Sequence, residues 1–217
     1  GVIYPSDFIQ LFEKTDHICE LDLYVFEEVC KLLARWKAEG REKCVISVNF
    51  SRLTLLESDL TESLGVLLRQ YGVPSSWIEI EITETVGEME RETIAQISRR
   101  IKREGFQISL DDFGSKYTSI SMLTVMKFDV LKLDRSLVSD LVSNPDNQTV
   151  VQCVIDMCRR MKIRIIAEGV ETWQQHTLLK QLGCDDAQGY LYSYPVCVKA
   201  FEQRMRGTKI TPPEQGR

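Results

Sequence analysis

The stretch Ile108-Ser109-Leu110-Asp111-Asp112-Phe113-Gly114 is an apolar, strand-like run that ends in two adjacent carboxylates before a Phe-Gly step. Successive residues of a strand point to opposite faces, so Asp111 and Asp112 can serve one polar site only where the backbone leaves the pleat. That arrangement suits a metal site at the mouth of a sheet or barrel. Asp and Gly are also ordinary turn and helix-cap residues, so a plain turn is the alternative.

Size and composition predict one globular domain over residues 1–217, with 208–217 as a frayed tail. The hydrophobic share is 43% and the net charge is -5, which argues against a nucleic-acid polymer or an anionic membrane as partner. No apolar run is long enough for a membrane span, and no signal peptide opens the chain. We therefore expect a cytoplasmic location, either alone or as the cytoplasmic part of a larger, membrane-anchored protein.

The cysteines and histidines restrict the metal chemistry. Seven scattered cysteines without a C-x-x-C pair are typical of reduced thiols rather than of a disulfide framework or a zinc site. Only His17 and His176 are present, so a metal site must rely mainly on oxygen ligands.

Strands and helices alternate along the chain after an opening loop with a short turn of helix. Strands are predicted at 44–51, 77–84, 108–112, 130–134, 163–167 and 187–191. Helices are predicted at 18–36, around 60–68, at 89–103, around 120–123 and 150–158, at 173–182 and near 201. This order predicts an α/β fold, a (β/α) barrel of the TIM type.

Polar residues lie at or near the end of every predicted strand: Asn49, Glu81, Asp111, Lys132, Glu168 and Gln188. In such barrels the carboxyl ends of the strands carry the chemistry, so these groups are expected to converge. Each has an ordinary alternative: a cap for Asn49, solvation for Glu81 and Glu84, a loop position for Glu168 and a hydrogen-bonding role for Gln188. Lys132 lies between two leucines and must either extend to solvent or meet carboxylates inside.

The oxygen-rich set indicates a metal-dependent phosphodiester hydrolase. Asn, Asp, Glu and Gln side chains are hard ligands that suit Mg²⁺ or Mn²⁺. Two such ions can hold both the attacking and the leaving oxygen of a phosphodiester. Lys132 would accept a proton from the attacking water or stabilise the charged transition state.

Six segments, in order, resemble the bacterial EAL domain, which is named for the tripeptide Glu-Ala-Leu. They are Ser47-Val48-Asn49-Phe50-Ser51, Glu79-Ile80-Glu81-Ile82-Thr83-Glu84-Thr85, Asp111-Asp112-Phe113-Gly114-Ser115, Leu131-Lys132-Leu133-Asp134-Arg135-Ser136, Ala167-Glu168-Gly169-Val170-Glu171-Thr172, and Gly183-Cys184-Asp185 with Gln188-Gly189-Tyr190-Leu191. The resemblance implies a TIM-like barrel that hydrolyses cyclic di-GMP to linear pGpG with two Mg²⁺ or Mn²⁺ ions. It also implies that the barrel is incomplete at its N-terminus in this chain, with about two of its eight strands missing.

The resemblance also implies roles for individual residues. The ions and their water would be held by Asn49, Glu81, Asp111, Asp112, Glu168 and Gln188. Lys132 would assist the nucleophilic water, Glu168 would be catalytic as well as a metal ligand, and Glu84 would steady the loop after Asp112. That loop and its short helix resemble the region through which the family forms homodimers.

Three departures from the family pattern bear on activity. The Glu-Ala-Leu signature is absent, and Gln10 replaces a usual Pro in the segment that normally follows it. Ser115-Lys116 stands where the family has Thr-Gly, which removes backbone freedom from the loop. Tyr194 replaces the usual Lys before Pro195. The alternative function is a catalytically inactive cyclic di-GMP receptor or dimerising regulatory module, with a metal-dependent lyase as a third interpretation.

Overall fold

The computed structural model describes residues 4–15, 17–41, 43–115 and 120–205. These residues form two compact units. The first contains the described residues up to Phe113 together with those from 120 to Val130, and the second contains Gly114, Ser115 and the described residues from Leu131 onward. Lys116 and the tail 208–217, for which the sequence makes predictions, lie outside the described residues. The single domain over 1–217 stays a prediction.

The first unit alternates helices with strands. Its helices are α1 (Pro5–Lys14), α2 (Ile18–Ala38), α3 (Arg52–Leu56), α4 (Leu60–Tyr71), α5 (Arg91–Arg103) and α6 (Met122–Val125). Its strands are β1 (Ile46–Asn49), β2 (Ile78–Thr83) and β3 (Gln107–Phe113), and short 3-10 segments cover Ser75–Trp77 and Glu84–Glu88. The strands pair in parallel, β1 with β2 and β2 with β3, as the predicted βα order requires.

The core of the first unit lies between α2 and the sheet. The Phe26 ring meets Phe50 and Phe106 edge-on, at centroid separations of 6.1 and 6.0 Å. Helix α2 was predicted correctly from its apolar spacing, but the buried face differs in part from the stripe that this spacing predicts, which is Ile18, Leu21, Val25, Val29, Leu32, Leu33 and Trp36. Val25 is 41% exposed, whereas the larger Phe26 is fully buried in the core.

The second unit repeats the same alternation. Its elements are β4 (Val130–Leu133, whose first residue belongs to the first unit), α7 (Arg135–Ser139), α8 (Pro145–Met161), β5 (Arg164–Ala167), α9 (Trp173–Leu182), β6 (Asp186–Ala187) and α10 (Val198–Arg204). Strands β5 and β6 pair in parallel, with Ala167 opposite Ala187. Helix α9 has the predicted bounds, because Thr172 caps its start and Gly183, in the left-handed conformation, ends it.

Two predicted elements need correction, and two short helices were not predicted. The opening turn is a ten-residue helix, α1, which a proline in the first turn favours. Helices α3 and α7, each of five residues, were not predicted, since they are too short for a hydrophobic period. The last strand was predicted at 187–191, but β6 covers only Asp186–Ala187. The chain turns after Gln188, where the Tyr192 and Ser193 amides donate to the Gly189 carbonyl.

All seven cysteines are free, as predicted. Burial raises the pKa of Cys30 and of Cys158 to about 12, so both thiols stay protonated at neutral pH and are poor nucleophiles. No helix among the described residues combines the length and the apolar character needed to cross a membrane.

Candidate functional site

The two glutamates of β2 are buried. Glu79 is 3% exposed and Glu81 is 5% exposed, while the isoleucines on the opposite face of the strand are buried as well. The solvated interpretation of these carboxylates is therefore wrong. Ser47 of β1 donates its hydroxyl to Glu79 Oε1 at 2.9 Å, so Glu79 has a local partner within the sheet.

Glu81 lies between two other predicted site residues. Its Cα is opposite Asn49 of β1, and its carbonyl accepts the Phe50 amide at 3.0 Å, which fixes the point where β1 ends. On the other side, Asp111 of β3 is opposite Thr83, two residues beyond Glu81. Carboxylate oxygens of Glu81 and Asp111 lie within 4.8 Å of each other. Two carboxylates this close repel each other, so the pair is suited to share a cation.

The backbone leaves the pleat at Asp112, as the adjacent aspartates required. Asp112 has φ 57°, a left-handed value that Asp tolerates better than most residues, and both aspartates are partly exposed. The alternative was a plain turn at Asp111 and Asp112. Both residues instead belong to β3, which continues through Phe113.

Gly114 is required in this motif. It has φ +97°, and a Cβ at this position would lie 2.4 Å from Leu137 Cδ1. No side chain larger than hydrogen fits there without moving Leu137.

Lys132, in the second unit, meets a carboxylate inside the protein. It is 6% exposed, and its Nζ donates to Glu168 Oε1 at 2.7 Å. Of the two alternatives for Lys132, extension to solvent is therefore wrong, and Glu168 is one carboxylate that it meets inside the protein. The side-chain amide of Gln188, through Nε2, also donates to Glu168 Oε1. Glu168 therefore accepts hydrogen bonds from both Lys132 and Gln188.

Two backbone hydrogen bonds and the adjacent Gly189 fix the position of Gln188. The backbone N–H of Val170 donates to the Gln188 carbonyl at 3.1 Å, and the backbone N–H of Gln188 donates to the Ala167 carbonyl at 2.8 Å. A Cβ on Gly189 would lie 2.2 Å from the Val170 oxygen, so only glycine lets the two backbones approach. The backbone therefore turns here and ends β6 earlier than predicted.

Two further predictions concern Glu84 and Tyr194. Glu84 begins the 3-10 segment after β2 and is partly exposed, but most of the loop it is expected to steady, residues 116–119, lies outside the described residues. Tyr194 is 66% exposed and stacks on Tyr190 with a centroid separation of 4.4 Å, so it belongs to the surface, as a rim position should.

With the positions of these carboxylates and of the buried lysine established, comparison with protein families gives a match to the EAL domain over residues 1–195. The chain belongs to the EAL domain family. Two relatives from Pseudomonas aeruginosa are each 31% identical to it. Cyclic di-GMP phosphodiesterase NbdA matches 97% of this chain and 27% of its own length; bifunctional diguanylate cyclase/cyclic di-GMP phosphodiesterase MucR matches 90% and 29%. The chain thus spans somewhat more than a quarter of the length of these relatives.

Solved EAL domains confirm the predicted fold class. The structure described as PaMucR phosphodiesterase in a c-di-GMP complex aligns with a TM-score of 0.86 at 30% identity, covering 93% of this chain and 81% of that one. The cGMP-bound EAL enzyme Bd1971 aligns with a TM-score of 0.87 at 28% identity, covering 95% and 56%. The six strands of the described residues accordingly fit an incomplete α/β barrel of the TIM type.

Sequence reasoning missed several buried polar residues of this EAL chain, and two of them, Gln175 and Asp22, support segments next to the site. Gln175 of α9 accepts the Glu171 and Thr172 amides, each at 2.9 Å, and donates to the Val138 carbonyl at 3.2 Å. It thereby ties the segment after Glu168 to α7. The Thr-x-x-Gln spacing of a capping box could have identified it.

The second missed residue is Asp22 of α2, which is 8% exposed. Its carboxylate accepts the Ser51 amide at 2.8 Å and the Thr54 hydroxyl at 2.6 Å, and so anchors the turn that follows Asn49. Burial raises the pKa of Asp22, and the bonds from Thr54 and Ser51 offset part of that effect. The available signal was the helical spacing of Asp22, which lies four residues from both Ile18 and Phe26.

Asp22 gives a pH-dependent prediction. Asp22→Asn retains an acceptor oxygen without the buried charge and should change the free energy of unfolding at pH 7 by less than about 1 kcal/mol. Asp22→Ala leaves both donors without an acceptor and should cost about 2–3 kcal/mol. Because the folded-state pKa is raised, wild type should gain stability relative to Asp22→Asn as pH falls through that pKa towards the unfolded value. Urea denaturation at several pH values measures this difference; the opposite slope would contradict it.

Proposed function

We propose that this chain is the phosphodiesterase module of a protein that hydrolyses cyclic di-GMP to pGpG with two Mg²⁺ or Mn²⁺ ions. One observation carries the proposal. An EAL-family chain keeps the closely spaced oxygen ligands Glu81 and Asp111 together with the buried Lys132–Glu168 ion pair. The names of the relatives, which describe cyclic di-GMP phosphodiesterases, support it.

The proposed metal ligands have the chemistry that these ions require. They are Asn49, Glu81, Asp111, Asp112, Glu168 and Gln188, all of which offer oxygen atoms. When bound, the ions would generate a hydroxide-like nucleophile from water and neutralise charge on the phosphodiester. Glu81 and Asp111 are close enough to contribute to one ion.

Lys132 assists the attacking water in this proposal. Its ammonium group is held by Glu168 inside the protein, where electrostatic interactions are stronger than in bulk water. In this ammonium form it stabilises the negative charge of the transition state, and only its neutral amine form accepts the proton of the water. Glu84 steadies the loop after Asp112.

A second candidate function is a cyclic di-GMP receptor without turnover. The departure at Ser115-Lys116 favours it, because a lysine in place of glycine restricts the loop next to Asp111 and Asp112.

One experiment separates the two functions. The full-length gene product that contains these residues is incubated with cyclic di-GMP and Mg²⁺ or Mn²⁺, the products are separated by chromatography, and binding is measured by calorimetry. Formation of pGpG supports the hydrolase, and binding without product supports the receptor. Absence of both would contradict both proposals.

We also propose that the chain forms a homodimer through α6 and the loop before it. Ile120, directly before α6, is 62% exposed, which is unusual for a large apolar residue and suits a contact between copies. Sedimentation equilibrium tests this: we expect a dimer for wild type and a shift to monomer for Ile120→Asp. A monomer at all concentrations would contradict the proposal.

A further inference from the structure

The first unit has a basic groove that none of the predicted site residues lines. It lies between one face of α5 and the segment after α6, and its volume is about 500 Å³. Ala95 and Val125 supply apolar lining, and four cationic side chains complete it: Arg99, Lys102, Arg103 and Lys127. The chain as a whole carries a net charge of -5, so this cluster of positive charge is a local feature of the groove.

The groove is held in shape by defined contacts. The Lys127 amide donates to the hydroxyl of Ser98, which is 5% exposed, at 3.2 Å, so the segment after α6 is fixed against α5. Lys102 is paired with Asp129, whose carboxylate also accepts the Ile108 amide at 2.7 Å. These contacts fix both walls of the groove.

Much of the positive charge in the groove is available to a ligand. Arg99 pairs with Glu92 at 3.0 Å, but both side chains are more than half exposed, and such pairs contribute little. Across the part of the chain that the structure describes, neither Arg103 nor Lys127 forms an ion pair. Arg99 and Arg103 are one helical turn apart, so their guanidinium groups can reach one anion together.

Helix electrostatics account for only part of this cluster. Cations in the last turn of α5 offset the negative end of the helix dipole, which explains Lys102 and Arg103. Lys127 is not on that helix, yet it lines the same groove. Two structural elements therefore supply cations to one concave surface.

We infer that this groove binds a small phosphate-bearing ligand, such as a nucleoside diphosphate or a polyphosphate. Its volume lies in the range of small-molecule sites, and arginine forks match phosphate oxygens. Asp129, which pairs with Lys102 of the groove, contacts the Ile108 amide near the start of β3, whereas Asp111 is near the carboxyl end of that strand. A ligand here would be separate from the proposed metal site, and the inference does not rest on the proposed hydrolase.

Calorimetry with sodium pyrophosphate, without divalent cations and at low salt, tests the inference. Wild type should bind one pyrophosphate per chain, and Arg103→Gln/Lys127→Gln should bind it at least about tenfold more weakly. The matched control is Arg160→Gln/Lys180→Gln, which removes two exposed cations from the second unit and should bind as wild type does. Thermal melts of both variants verify that each is folded.

The outcomes are distinct. Absence of saturable binding by wild type at millimolar pyrophosphate would overturn the inference, as would equal weakening in the control variant. If the groove variant alone loses affinity, the site is established. Tighter binding of GDP than of pyrophosphate would then identify a nucleotide as the ligand, and equal binding would identify the phosphate groups alone.

Discussion

Lys132→Met is expected to lower the rate of cyclic di-GMP hydrolysis between about 10²-fold and 10⁴-fold, the usual range for loss of a positioned acid or base. The side chain is 6% exposed and its ammonium is 2.7 Å from Glu168 Oε1. Methionine fills a similar volume but can neither take the proton of the attacking water nor stabilise a negative charge. The rate is measured with saturating substrate and Mn²⁺ in the full-length protein.

A stability measurement separates this chemical role from a structural one. Removing Lys132 leaves Glu168 without its cation, which should lower the free energy of unfolding by up to about 3 kcal/mol. The double variant Lys132→Met/Glu168→Gln should regain part of that stability. Activity is therefore compared for Lys132→Met alone, well below its melting temperature, where we expect a folded but inactive protein. If its activity matched the wild-type rate in proportion to the folded fraction, Lys132 would be only a structural residue.

Glu81→Gln should abolish the stabilisation that Mg²⁺ or Mn²⁺ gives to the folded chain. A ligand that binds only the folded state at a hundredfold excess over its Kd stabilises it by about 2.7 kcal/mol. Each kcal/mol raises the melting temperature of a chain of this size by roughly 2–4 °C. Wild type should therefore melt roughly 5–10 °C higher with metal. Glu81→Gln should show almost no shift, because a neutral amide is a poor substitute for a shared carboxylate.

Glu79→Gln is the matched control for this experiment. Glu79 is equally buried, two residues earlier on the same strand, and Gln can still accept the Ser47 hydroxyl. This variant removes a buried charge without removing a proposed ligand, so it should keep the metal-dependent shift. An equal loss of the shift in both variants would show that charge in β2, rather than coordination by Glu81, determines the response.

Prediction from sequence was most accurate where local signals agreed. The bounds of α9 were correct because Thr172 and Gly183 mark its ends, and α4 likewise ends before Gly72 in the left-handed conformation. The adjacent Asp111 and Asp112 required a break in the pleat, and the positive φ of Asp112 confirms it.

The features that the sequence did not predict depend on tertiary contacts. The hydrophobic period located α2 but could not show that Phe26 and Asp22 face inward, because that choice depends on Phe50, Phe106 and the turn at Ser51. The end of β6 depends on the approach of Gly189 to Val170, which no local pattern reveals. Sequence could place Lys132 inside the protein, but only the structure identified Glu168 as its partner.

Hydrolysis of cyclic di-GMP in ¹⁸O-labelled water, by the full-length protein with Mn²⁺, tests the central claim most directly. Attack by water at one phosphorus forms a new P–O bond and breaks the bond to the 3′ oxygen. Mass spectrometry should therefore find pGpG with a single ¹⁸O atom in its 5′ phosphate. Unchanged cyclic di-GMP, or a cleaved product without ¹⁸O, would contradict the assignment of this chain as a metal-dependent phosphodiesterase.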